Sequence, residues 1–246
     1  MKKRTFCFAV FILLYFVGYA QAIVYCDIDK EPVSDSSQAV MYKVIVKDSA
    51  NLQRVKEQFH LMSGALVEEE SFIDYSDKKK SDGVNRKWYN TGQLKLSVDY
   101  VSGVISGNIT TYWENGQLKR KDIYKNGEYQ FGECYDKDGK KIKHFDYLVY
   151  PHFPGGDSKL MEYIGSNLKY PQNAAEEGVQ GQVYLLFKVN VDGSISDISV
   201  WRGCTFTMNL EAIRVLKGMP KWVPGKIDGE LSTMKTILAF GFKLAN

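Results

Sequence analysis

The stretch Gly181-Gln182-Val183-Tyr184-Leu185-Leu186-Phe187-Lys188-Val189-Asn190-Val191, followed at once by Asp192-Gly193, decides how the C-terminal part of this chain folds. Val183, Leu185, Phe187, Val189 and Val191 recur with period two, so they share one face of a strand. Asp192-Gly193 predicts a hairpin turn, and Ser194 to Val200 runs back with Ile198 and Val200 on one face. A helix follows, capped by Thr207 or Asn209, with Leu210, Ile213 and Leu216 as its apolar stripe and Gly218-Met219-Pro220 as its stop. Trp222-Val223-Pro224-Gly225 reads as a rigid connector. The last strand, from about Lys235 to Leu244, sets Leu238, Phe240, Phe242 and Leu244 on one side.

On the other flank, Phe153-Pro154-Gly155-Gly156 opens a helix capped by Asp157 or Ser158, with Leu160, Ile164 and Leu168 on one face and Tyr163 beside them. Tyr170-Pro171 stops that helix and starts a second, because proline is accepted at the first helical position but disfavours helix in the residue before it. Ala174 to Glu177 continue the second helix and Gly178 ends it. The sum is an α+β unit over residues 151–246, with two or three helices on a three-stranded antiparallel sheet.

Before it lies a repeat. Trp88-Tyr89-Asn90-Thr91-Gly92-Gln93-Leu94-Lys95 returns as Tyr112-Trp113-Glu114-Asn115-Gly116-Gln117-Leu118-Lys119. A weaker copy is Cys134-Tyr135-Asp136-Lys137-Asp138-Gly139-Lys140-Lys141-Ile142-Lys143, and Phe59 to Leu66, around Gly64, is a degenerate earlier one. Alternating apolar and polar residues around Asn115-Gly116, Asn126-Gly127 and Asp138-Gly139 predict β-hairpins closed by type I′ turns. Stacked hairpins would bury a shared face of tyrosine and tryptophan. Glu68-Glu69-Glu70 and Lys78-Lys79-Lys80 read as solvated loop or edge charges.

The chain of 246 residues is 44% hydrophobic and 25% charged, which excludes a mainly disordered chain or a polytopic membrane protein. Its net charge of +3 is accounted for by Lys2, Lys3 and Arg4, so the body carries no electrostatic footprint for nucleic acid. Those three cations precede an apolar run from Phe6 to about Ala20 and an Ala20-Gln21-Ala22 ending, the pattern of a secretory signal over residues 1–22. The alternative is an uncleaved inner-membrane anchor, although a spanning helix needs about 20 apolar residues. Residues 23–147 then form the repeat domain of an exported protein. Cleavage leaves Cys26, Cys134 and Cys204, which show no metal-ligand spacing; one disulfide with a free thiol, or three unpaired cysteines, are both open.

No enzyme signature is found. His60, His144 and His152 form no HExxH, there is no G-x-S-x-G elbow or phosphate loop, and the calcium-loop start at Asp136 lacks its final acid, where Phe145 stands. No cofactor is expected.

The hairpin phrases resemble the MORN-variant repeats of bacterial envelope proteins. The C-terminal segment resembles the C-terminal domain of the TonB family of energy transducers. That resemblance is carried by Phe153-Pro154-Gly155-Gly156, Tyr170-Pro171, Ala174 to Gly178, Gly181 to Gly193, Glu211 to Arg214, Met219 to Trp222, Pro224-Gly225 and Phe240-Gly241-Phe242. It implies a periplasmic domain that grips a short peptide of TonB-dependent outer-membrane receptors by strand addition, within energy-coupled transport. By the family pattern the contact residues are Asn167, Lys169, Tyr170 and Pro171 at the turn, and Lys235, Ile237, Ala239, Gly241 and Lys243 on the last strand. Phe240, Phe242 and Trp222 are expected in the core, and Tyr170-Pro171 has a helix-starting job besides any contact. Inner-membrane motor components become partners if the N-terminal segment is retained. The alternative function is an envelope scaffold that binds protein partners or glycan without transducing energy.

Overall fold

A computed structural model describes residues 22–47, 53–75 and 79–244; the signal reading for the N-terminal segment and Lys78 fall outside the described residues, apart from Ala22. The chain divides into two compact units, one ending at His144 and the other beginning at Phe145.

The first unit is an antiparallel array. Its strands are β1 (Ala22–Cys26), β2 (Met41–Lys47), β3 (Val55–Leu61), β4 (Leu66–Asp74), β5 (Lys80–Ser81), β6 (Gly83–Trp88), β7 (Leu94–Val101), β8 (Val104–Tyr112), β9 (Leu118–Lys125), β10 (Glu128–Tyr135) and β11 (Lys141–Ile142). They pair in sequence order, with β5 alone set off the path against β4. Two kinds of turn alternate along the repeats. Ser102-Gly103 and Asn126-Gly127 hold both residues at positive φ, as a type I′ turn requires. Asn115-Gly116 and Asp138-Gly139 do not: each is the end of a three-residue loop in which the glycine alone is left-handed. Gly64 and Gly92 close the same kind of loop, so hairpins form as expected, while the type I′ turn expected at Asn115-Gly116 and Asp138-Gly139 is replaced by the three-residue loop.

The repeated phrase has a physical reason. The first loop aromatic of one copy reaches the next copy: the Tyr89 hydroxyl donates to the Tyr112 carbonyl at 2.9 Å, and Trp113 Nε1 donates to the Tyr135 carbonyl at 3.1 Å. The lysine six residues on covers the same ring, Lys95 over Tyr89 at 5.1 Å and Lys119 over Trp113 at 4.4 Å. The glutamine between them lies against the following turn, Gln117 on Gly139 in ordinary contact and Gln93 on Gly116 closely enough that a Cβ there would crowd it. In the last copy Asp136 replaces the aromatic, and its carboxylate accepts from the N–H groups of Asp138 and Lys140 in its own loop.

The array's buried face departs from the sequence expectation. Trp88, Tyr89, Tyr112 and Trp113 are only half-buried, while Phe59, Phe72, Val98, Ile109, Cys26 and Cys134 are buried among charged residues. Glu68 and Glu69 are not solvated edge charges, because β4 is interior to the sheet. Glu68 pairs with Lys30 at 2.7 Å and Lys87 at 2.9 Å, and Glu69 accepts from Gln58 at 2.9 Å and Arg86 at 3.3 Å. Buried Glu57 accepts from Lys43, Lys79 and the Tyr75 hydroxyl. Burial and the Glu57 carboxylate push the Tyr75 hydroxyl pKa up. Deepest is Arg120, wholly buried, whose guanidinium bonds Asp122 at 2.6 Å, with His144 Nε2 2.9 Å from the other carboxylate oxygen.

The second unit contains β12 (Leu148–Val149), α1 (Gly156–Asn167), α2 (Gln172–Glu176), β13 (Gly181–Val189), β14 (Ile195–Arg202), α3 (Phe206–Lys217), β15 (Gly225–Ile227), β16 (Glu230–Ser232) and β17 (Met234–Phe242). β13 is the centre strand of a sheet ordered β14-β13-β17, and a small sheet is ordered β12-β15-β16. Val183, Leu185, Phe187 and Val189 are buried against Leu160 and Ile164 of α1, Met208, Ala212, Val215 and Leu216 of α3, and Phe240 and Phe242 of β17. Trp222 and Phe153 close this core, with Trp222 edge-on to Phe187 at 5.4 Å.

Local readings shift by a few residues. Gly155, at φ +83°, caps α1, and no side chain does; Asp157 sits in the first turn. Pro171 precedes α2 as its cap. Thr205 caps α3 by accepting from Met208 N–H; Leu216 of the expected stripe is buried and Ile213 packs against the core, joined by Met208, Ala212 and Val215, while Leu210 is half exposed. Val191 lies in the three-residue loop Val191-Asp192-Gly193 and is exposed. On β14 the left-handed Asp197 shifts the register, so Ile195 and Ile198 face the core while Val200 does not.

Candidate functional site

The sheet β14-β13-β17 has two edges, and they differ. β14 is broken twice in its pairing with β13, at Tyr184/Leu185 and at Leu186/Lys188, and it carries a residue at φ +52°. Bulges and twisted residues are how an edge strand is kept from recruiting another. β17 has none of these. Its register with β13 runs without a break from Gly181–Phe242 to Val189–Met234, and it has no proline, no left-handed residue and no strand on its other side among the described residues. A strand paired on one side leaves the N–H and C=O groups of alternate residues pointing outward.

β17 alternates sharply. Phe240 and Phe242 are buried and Leu238 packs against the core, whereas Lys235, Ile237, Ala239, Gly241 and the following Lys243 are exposed. That second face belongs to the open side of the sheet. Tyr184 and Leu186 of β13 stand opposite Ala239 and Ile237, and Trp201 of β14 lies edge-on to Tyr184 at 6.0 Å. Trp201, Tyr184 and Leu186 were missed by the sequence reading; the signal for them was the even positions of β13, read there only as the far side of a buried strand.

The turn residues do different work. The Tyr170 hydroxyl donates to the Val179 carbonyl at 2.5 Å, and its ring meets Phe242 edge-on at 5.7 Å, so Tyr170 braces the end of β17. Asn167 and Lys169 are tied to α3. Arg214 donates to the Asn167 carbonyl at 2.7 Å, and Lys169 N–H donates to Glu211 at 2.6 Å. Paired hydrogen bonds from Arg214, helped by Lys169 N–H, hold the Glu211 carboxyl below the usual carboxylate range. Of the family-pattern residues, the fold therefore brings Tyr170 to β17 through Phe242 and fastens Asn167 and Lys169 to α3. Cys26 and Cys134 are buried and unbridged, and Cys204 is exposed and unbridged.

Residues 166–244 match the family model of the Gram-negative bacterial TonB protein C-terminal, so a TonB C-terminal domain stands there. Two curated relatives, each named Protein TonB and from two strains of Helicobacter pylori, are 33% identical over 86 and 67 residues, covering 35% and 27% of this chain. They cover 30% and 24% of those relatives, so the chain spans under a third of the length of the curated proteins it matches. Two solution structures of the Helicobacter pylori TonB C-terminal domain are 26% and 29% identical. They cover 35% and 36% of this chain and 90% and 81% of their own, with TM-scores of 0.28 and 0.27. No helix among the described residues is long and apolar enough to cross a membrane.

Proposed function

We propose that the C-terminal unit binds an extended peptide of an outer-membrane receptor by adding it as a fourth strand along β17, as a periplasmic component of energy-coupled transport. The observation that carries this is the contrast between the two sheet edges: β14 is blunted by bulges, while β17 keeps an unbroken register with β13 and has no strand on its other side among the described residues. Main-chain hydrogen bonds supply the affinity in such a complex and side-chain neighbours the selection. At ~0.5 to 1.5 kcal/mol net per bond, four to six bonds suffice for micromolar binding after the cost of association. Tyr170, Asn167 and Lys169 act chiefly by positioning, since their contacts fix the C-terminal end of β17 and the turn beside α3, and Pro171 positions the start of α2 as its cap.

The strand array serves in this proposal as a spacer of MORN-variant type. Its loop aromatics support that role over a ligand platform, because Tyr89 and Trp113 are spent on the next repeat. Whether the chain also transmits force depends on residues 1–22. Intact mass and N-terminal sequencing of the protein from membrane and soluble fractions decide between a secreted binding protein and an anchored transducer.

The test of strand addition is isotope-edited NMR with receptor N-terminal peptides. Amides of Met234–Phe242 should shift, alternate ones should gain exchange protection, and peptides N-methylated at alternate positions should lose binding in one of the two methylation frames. Perturbations confined to β14 or to α3 would sink the proposal.

A further inference from the structure

The exposed face of β17 carries a pattern of its own. Reading every second residue gives Lys235, Ile237, Ala239, Gly241 and Lys243: a cation at each end, with apolar and progressively smaller residues between. Both lysines are exposed, and among the described residues neither has an ion-pair partner. Lys235 stands directly opposite Lys188 in the β13 register. Like charges facing each other across strands are unfavourable. Lys188 is answered from its far side by Asp197 at 2.9 Å, which leaves Lys235 as the uncompensated member. On the other edge of β17 no strand among the described residues faces Lys235 or Lys243.

We infer that the peptide accepted along β17 carries acidic side chains at both ends of a nine-residue extended segment, in register with Lys235 and Lys243, with apolar side chains at the alternate positions between. This rests on the strand-addition proposal above and adds to it the chemistry of the partner. Residues directly opposite on paired strands share a face, so an acid facing Lys235 places its carboxylate beside the ammonium. The central positions face Ile237, Ala239 and Gly241. Ala239 and Gly241 leave room above the sheet, and Tyr184 flanks Ala239 on β13, so a large apolar residue fits there. The pattern is the same read in either direction. It selects composition and spacing without fixing whether the peptide runs parallel or antiparallel to β17.

The test uses the whole chain and three fluorescent nine-residue peptides of alternating valine and threonine, ended by aspartate, serine or lysine at the first and ninth positions. An exposed charge pair changes affinity by a few-fold. The aspartate peptide should therefore bind about tenfold tighter than the serine peptide at low salt, with the gap closing as salt screens the charges. The Lys235→Glu, Lys243→Glu double variant should invert the order and favour the lysine peptide, and its unchanged thermal melting would show that the fold is intact. Equal affinity for all three peptides, or no inversion in the double variant, overturns the charge pattern. In that case loss of binding on alternate N-methylation would show that strand addition itself stands. If no peptide binds, or N-methylation in either frame changes nothing, strand addition fails and the inference falls with it.

Discussion

The strand array and the C-terminal unit solve the same problem of holding a sheet in opposite ways. In the C-terminal unit three strands and the helices converge on one apolar core, so Phe187 of the centre strand, Met208 of α3 and Phe240 of the edge strand share one cluster. In the array the contacts run strand to neighbouring strand, through loop aromatics, lysine-covered rings and buried ion pairs. The difference teaches where damage goes. A defect in a shared core reaches every element, whereas a defect in a nearest-neighbour array stays near its origin.

The largest effect should come from Phe187→Ala. Phe187 is buried among Trp222 and the core of β13, and truncating such a phenylalanine costs about 3 to 5 kcal/mol. Urea denaturation should show the C-terminal transition at much lower denaturant and peptide binding abolished, while amide protection in β7 to β9 persists. Protection lost in both units together would contradict the division drawn here.

Next is Asp122→Ala, which removes the carboxylate that the wholly buried Arg120 bonds at 2.6 Å; breaking one side of a buried pair costs about 3 kcal/mol or more. Replacing both, Arg120→Met with Asp122→Leu, should recover most of that loss, since apolar pairs of similar volume are tolerated. Equal destabilisation by the single and double changes would mean the pair is not what holds β9.

A smaller effect, about 1 kcal/mol, is expected of Trp113→Phe, which removes the indole donor to Tyr135 and keeps the ring under Lys119. Hydrogen exchange should rise in β8 to β11 and stay unchanged in β1 to β3. Uniform change across the array would argue for long-range cooperativity instead.

The smallest is a pH effect. Glu211 has a folded pKa below its unfolded value, chiefly through Arg214, so its contribution is present above the unfolded carboxylate pKa and is lost as pH falls through the lower folded one. Glu211→Gln should flatten the acid limb of the C-terminal unit's stability curve below about pH 4.5 without moving the neutral plateau by more than the lost hydrogen bonds. An unchanged acid limb would show that the tie between the Lys169 turn and α3 does not contribute.

Much of the candidate site was legible because it rests on period two. Phe240 and Phe242 inward with Ile237 and Ala239 outward follow from the spacing alone, and Trp222, expected in the core, is buried there. The α3 stripe was legible at Leu216, which is buried, and at Ile213, which packs against the core, but not at Leu210, and the cap was ambiguous where Thr205, Thr207 and Asn209 stand together. Thr205 caps the helix because it reaches Met208 N–H, whereas the buried face is set by the packing of Met208, Ala212, Val215 and Leu216 in the core, which leaves Leu210 on the other side. Glu68 and Glu69 were misread because nothing in a run of three acids says that Lys30, Lys87 and Arg86 will converge on them from other strands.

The sequence by itself determined the repeat, the strands and the turns at glycine, since these depend on neighbours a few residues apart and on which φ angles a side chain permits. It also determined that β17 would be two-faced. Only the tertiary structure decided that β14 is the blunted edge, that Lys235 faces Lys188, and that the array buries its charges. Each of those is a matter of which strand lies beside which, and pairing between residues far apart in the chain is set by the packing of the whole unit, not by any local preference.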